Sequence, residues 1–162
     1  MGLILGLGGL GLGGLAWLSV SSLENQVVSL REQNTWYRYN GTNFVCNPAN
    51  TYLTFSGLLV EFELGPNESV YLSFTARAHT EQIPGWWSRI SVYFTVDGSF
   101  EWDPSAQVGT YDGAFMINFM LHLEYIKHDL SPGEHNVTVI IYGDSSGNYI
   151  HESMLIVQKI QI

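Results

Sequence analysis

The sequence predicts a mainly β protein: an antiparallel β-sandwich, Ig-like or jelly-roll-like, behind one long, apolar, glycine-rich N-terminal α-helix. Two observations carry this expectation. Residues 1–20 contain no charged side chain, and from Val60 onward apolar and polar residues alternate with a period of two between turn signals. A third observation, the loss of either period around Pro48, separates the parts. The expected organisation is a helix over 1–37, a connector over 38–50 and an extracellular β-sandwich over 51–162.

The helix is argued from spacing. Seven of the first fifteen residues are glycine, and in water each would cost a helix about 1 kcal/mol against alanine. In an apolar setting the backbone must satisfy its own hydrogen bonds, and small residues let neighbouring helices approach. Gly2, Gly6, Gly9, Gly13, Ala16, Val20, Leu23, Val27, Leu30 and Asn34 follow one another in steps of four and three, one heptad seam. The seam predicts packing against copies of the same chain. A secretory signal would place basic residues before its apolar core, and here none precedes Arg31. A plain membrane anchor is the other reading of a run about 20 residues long.

The sandwich is argued strand by strand. Val60, Phe62 and Leu64 alternate with Glu61 and Glu63 before a turn at Gly65-Pro66-Asn67. Val70 to His79 and Ile90 to Asp97 repeat the alternation, the second closed by Asp97-Gly98. Phe115 to Ile126 is apolar on both parities, so strand, strand pair and helix all stay open. Val137, Val139 and Ile141 follow the turn at Ser131-Pro132-Gly133, and residues 144–148 link them to a last strand ending at Ile162.

Composition narrows function. Fifteen acidic against six basic residues, a net charge of −9, argue against a nucleic-acid partner, which needs a basic footprint. Charged residues make up 13% and aromatics 14%, so burial rather than ion pairing holds the domain together. A single cysteine, Cys46, excludes an internal disulfide and reads as a buried apolar side chain. Sequons at Asn40, Asn67 and Asn136 are possible glycosylation sites, which fits a domain outside the cell.

Catalytic signatures are not found. The five histidines are scattered without metal-ligand spacing, and neither a Gly-x-Ser-x-Gly elbow nor a phosphate-binding loop occurs. Asp97, Glu101, Asp103 and Asp112 fall in one expected loop but do not match a calcium-loop pattern, and read as a solvated acidic loop. No catalytic residue, metal or cofactor is expected. Trp86 and Trp87 beside the Pro84-Gly85 turn, and Trp102 in the acidic loop, are candidate surface contacts, able to stack on sugars or anchor a protein.

An uncharged apolar start, a single sandwich, sequons and few basic residues together resemble a mature archaeal type IV pilin. The resemblance is architectural and covers the whole chain. It implies a charged leader removed by a peptidase, apolar segments bundled into a filament core, and an outer coat of globular domains. It departs from the bacterial pattern at Leu5, where glutamate is usual. The expectation is therefore a structural, pilus-like surface-filament subunit engaged in adhesion. Its expected partners are copies of itself, a membrane before assembly, and surface glycans or cells. A membrane-anchored spike of a virion, or an envelope adhesin, is the alternative.

Overall fold

The computed structural model describes residues 34–81, 84–111 and 118–161. Ten strands run in order: β1 Thr35–Asn40, β2 Phe44–Val45, β3 Thr51–Thr54, β4 Val60–Leu64, β5 Glu68–His79, β6 Ser88–Val96, β7 Ser99–Thr110, β8 Asn118–Lys127, β9 Gly133–Gly143 and β10 Tyr149–Gln161. They form two five-stranded sheets. The first is ordered β1-β10-β5-β8, with β2 also on β10; the second is β3-β9-β6-β7, with β4 also on β9. Among the described residues no helix is long and apolar enough to cross a membrane.

Alternation explains why the sheets face each other. Val70, Leu72, Phe74, Ala76 and Ala78 of β5 are fully buried, as are Ile90, Val92 and Phe94 of β6 and Val137, Val139 and Ile141 of β9. These period-two stripes line the two inner faces and interdigitate as one core. In β10 the pairing to β5 slips between His151 and Met154, leaving one extra residue. That bulge switches parity, so Ile150 before it and Leu155 and Val157 after it all point inward. Glu152 in the bulge takes a φ of +48° and pairs with Arg77 at 3.0 Å. The β6–β7 hairpin closes through Asp97 and Gly98 at φ of +51° and +75°, the left-handed pair that a tight two-residue hairpin demands.

Three expectations need correction. The expected long N-terminal α-helix needs correction: the described residues are mostly strand, and the sole helical piece among them is a 3-10 turn over Ser56–Leu58. Thr35, Trp36 and Tyr37, placed at the end of that helix, begin β1 instead. Their β-branched and aromatic side chains suit a strand, and Trp36 packs on Phe62 at 5.9 Å between ring centres. Asn34 lies in the turn before β1, and the remaining seam positions, Gly2 to Leu30, lie outside the described residues. The stretch 38–50, read as connector, carries the rest of β1 and all of β2. The acidic loop read over 97–112 is largely the strand β7. The ambiguous stretch 115–126 carries β8 from Asn118 to its penultimate residue Ile126, and residues 112–117 lie outside the described residues.

Candidate functional site

The outer face of the second sheet gathers five aromatic rings from four strands. Tyr52 of β3 lies opposite Tyr142 of β9 in the ladder, with ring centres 5.0 Å apart. Tyr93 of β6 sits 5.9 Å from Tyr52. On β7, Phe100 and Trp102 stack at 4.1 Å, and both meet Tyr52 nearly edge-on, at 5.3 and 5.7 Å. Offset and edge-on pairs of this kind are favourable beyond the area they bury. Trp102 keeps 61% of its surface in solvent and Tyr52 46%, so the cluster is a platform rather than a core. Burial, with Tyr93 and Tyr142 alongside, holds the Tyr52 phenol above its ordinary value, so the ring presents a neutral hydroxyl.

A long bulge builds this platform. Tyr93 pairs with Ser105 but its neighbour Phe94 pairs with Glu101, so Trp102, Asp103 and Pro104 are three residues in excess on β7. An odd excess inverts the in-out alternation. Phe100, opposite Thr95, and Gln107, opposite Ser91, therefore share the outer face despite their opposite parity.

Beside the platform lies a cleft of about 940 Å³ lined by Trp86, Trp87, Arg89, Gln107, Asn50 and Asp144, among others. Trp86 and Trp87 are 72% and 64% exposed, and Trp87 rests on Tyr111 at 5.1 Å. Arg89 anchors the floor: its backbone N–H donates to Asp144 Oδ1 at 2.7 Å, its Nε lies 3.5 Å from Asp144 Oδ2, and its guanidinium sits 5.7 Å over the Tyr142 ring. The Tyr142 hydroxyl donates to Asn50 Oδ1 at 3.0 Å. Gln107 Nε2 donates to Ser91 Oγ at 3.0 Å. Arg89, Asn50 and Tyr142 thus join cleft and platform into one surface.

The three tryptophans singled out from sequence are all exposed, Trp86 and Trp87 in the cleft and Trp102 on the platform. Tyr52, Tyr93, Phe100, Tyr142, Arg89, Asn50 and Gln107 had not been singled out; they converge through strand register alone. Of the sequons, Asn67 and Asn136 are exposed and Asn40 half-buried. Asn40 Oδ1 accepts from the Thr42 N–H at 2.8 Å and the Thr42 hydroxyl at 2.7 Å. Among the described residues the acidic candidates do not converge on a common metal point. Asp97 binds His135 and Glu101 binds Lys127, while Asp112 lies outside the described residues. Cys46 is buried and unpaired, its thiol pushed up to about 12, first by burial and then by the charge of Asp144.

Neither a family model nor a curated protein matches this sequence. Among solved structures, the infectious bursal disease virus VP2 subviral particle is similar to 78% of this chain, with 12% identity and a TM-score of 0.49. Dimeric latent PorU from Porphyromonas gingivalis is similar to 79% of it, with 12% identity and a TM-score of 0.45. The infectious bursal disease virus Gx strain structure is similar to 78%, with 9% identity and a TM-score of 0.45. The chain spans 32%, 13% and 33% of the lengths of these three, and likeness at this level carries no argument about activity or partner.

Proposed function

We propose that this chain is a non-catalytic structural subunit displayed on a cell or virion surface, adhering through the outer face of the β3-β9-β6-β7 sheet. The observation that supports this reading is the concentration of aromatic rings on that face: a five-ring platform on which Tyr52 and Trp102 are exposed, and two exposed tryptophans in the adjoining cleft. Contiguous exposed aromatic surface is a liability in a free monomer, and rigid rings of this type are the usual anchors of binding energy. The uncharged run 1–20 supplies the attachment, to neighbouring copies in a pilin-like filament, after a stay in the membrane. An acidic balance and three sequons favour a domain that works outside the cell.

Electron microscopy of material sheared without detergent, labelled with antibody against the sandwich, tests the display. Labelled filaments or particle surfaces are expected, and label confined to the cell interior would overturn it. Adhesion is tested by adding Trp102→Ala protein to target cells. Binding should fall with the fold unchanged, and undiminished binding would remove the platform from the proposal.

A further inference from the structure

We infer that the cleft beside the aromatic platform takes a neutral oligosaccharide; this rests on the adhesive reading and names its ligand. A sugar ring has two kinds of surface, a patch of C–H groups on its faces and a rim of hydroxyls that both donate and accept. The cleft offers a partner for each. Trp86 and Trp87 present broad apolar rings, each more than half exposed, for the C–H face. Around them stand Arg89, a donor, Asp144, an acceptor, and the amides of Gln107 and Asn50, which are both. At about 940 Å³ the cleft is at the large end of the small-molecule range, room for more than one sugar ring. Tyr52 and Trp102 continue the aromatic surface beyond Tyr142, where further sugar units would lie.

Charge selects the class of sugar. Among the described residues the charged ones lining the cleft are Arg89 and Asp144, and they are paired with each other at 3.5 Å. Among the described residues the site therefore holds no cation beyond the paired Arg89 for a sulfate or carboxylate, and the chain's net charge of −9 repels anionic polymers at long range. A neutral ligand leaves the Arg89–Asp144 pair intact and uses its remaining hydrogen-bonding capacity.

The test is titration of the full chain with neutral gluco-, manno- and galacto-oligosaccharides, and separately with heparin and sialyllactose, followed by tryptophan fluorescence and calorimetry. Saturable binding of at least one neutral series is expected, with Kd between about 10 µM and about 1 mM, and none of the anionic pair. Trp87→Ala should weaken it about tenfold or more, and Trp87→Phe should restore most of the loss. Gln107→Ala should weaken it severalfold, with only the modest fall in Tm expected from losing the bond to Ser91 Oγ. Preference for the anionic probes overturns the inference, as does an absence of neutral binding at about 10 mM ligand. If cells still bind through Trp102 after periodate destroys their glycans, the ligand is a protein; the sugar inference then fails and the adhesive reading stands. If cell binding is also absent, both fail.

Discussion

The side-chain amide of Asn148 donates to the backbone carbonyl of Arg89 at 2.9 Å and, through the same nitrogen, to Asp144 Oδ1 at 3.3 Å. Its Oδ1 accepts from the Glu81 backbone N–H at 2.7 Å and from the Ser88 hydroxyl at 2.9 Å. One fully buried asparagine thus ties the start of β6, the link before β10 and the segment just after β5 together beneath the cleft. The position of Arg89 in the site is set from below.

Replacing Asn148 by alanine should be among the most damaging single changes in the domain. It strands two donors at once, the Glu81 N–H and the buried Ser88 hydroxyl, each worth about 1–3 kcal/mol when left unpaired. The expected loss is about 3 kcal/mol, or about 10 °C in Tm for a domain of this size. Chemical and thermal denaturation of Asn148→Ala measure it. A loss under about 0.5 kcal/mol, the range of ordinary surface changes, would refute the role assigned to this residue.

His135 predicts a pH dependence. Its Nδ1 lies 2.7 Å from Asp97 Oδ2 and its Nε2 2.7 Å from the Ser131 carbonyl, so both ring nitrogens face acceptors and the doubly protonated ring satisfies both. Burial works against the charge, but the hydrogen bonds to Asp97 and Ser131 and the Asp97 charge prevail, raising the imidazole above 6.5. Burial likewise opposes the Asp97 carboxylate, yet the bonds from His135 and the Asn136 N–H hold it below 3.8. A raised histidine contributes stability that is full below 6.5 and lost as pH climbs through the higher folded value. The lowered Asp97 contributes above 3.8 and is lost in acid. The urea midpoint of the wild type should therefore drop as pH rises from about 6 to about 9, and Asp97→Asn should flatten that drop. Equal slopes in the two proteins would contradict the linkage.

Sequence reasoning reached the core and missed much of the periphery, for identifiable reasons. Val60 to Leu64, Val70 to Ala78, Ile90 to Val96 and Val137 to Ile141 each have one buried and one outward face, so period two reports them directly. β8 defeats that reading because it is an edge strand whose outward residues Met120 and Ile126 are apolar and still exposed, at 68% and 43%. β7 hides because its three-residue excess breaks the period and carries Asp103 and Pro104, which read as loop. Thr35 to Tyr37 extended a heptad count by momentum, although their β-branched and aromatic side chains favoured a strand. The tryptophans were visible singly. The platform was not, because Tyr52, Tyr93, Phe100 and Tyr142 meet only through register across four strands.

Cys46 should be chemically silent in the folded protein. With the thiol pushed up to about 12 and its sulfur fully buried, iodoacetamide at about pH 8 should label it at least about 10³-fold more slowly than in urea-unfolded chain. Gly143 closes the pocket from the other side: a Cβ there would stand 2.5 Å from the Cys46 Cβ and 2.7 Å from its sulfur. Gly143→Ala should cost about 1–3 kcal/mol and speed labelling. Rapid native labelling of the wild type would contradict this packing.

Lys127 of β8 and Glu101 of β7 join the two sheets along one side of the sandwich. Their charged groups lie 3.2 Å apart and each side chain is only 14% exposed. Lys127 also meets Asp129 at 2.9 Å, and the Tyr125 hydroxyl donates to Glu101 at 3.3 Å. A pair this sheltered behaves differently from a surface ion pair: removing one member strands the other, while removing both together costs much less. Lys127→Met is expected to lose about 2 kcal/mol, and Glu101→Leu a similar amount. The double substitution should recover at least about half of their sum. Additive losses in that double-mutant cycle would mean that the two residues act through packing alone. A coupling energy of about 1 kcal/mol or more would establish the pair as a staple between β7 and β8, on the strand that also carries Phe100 and Trp102.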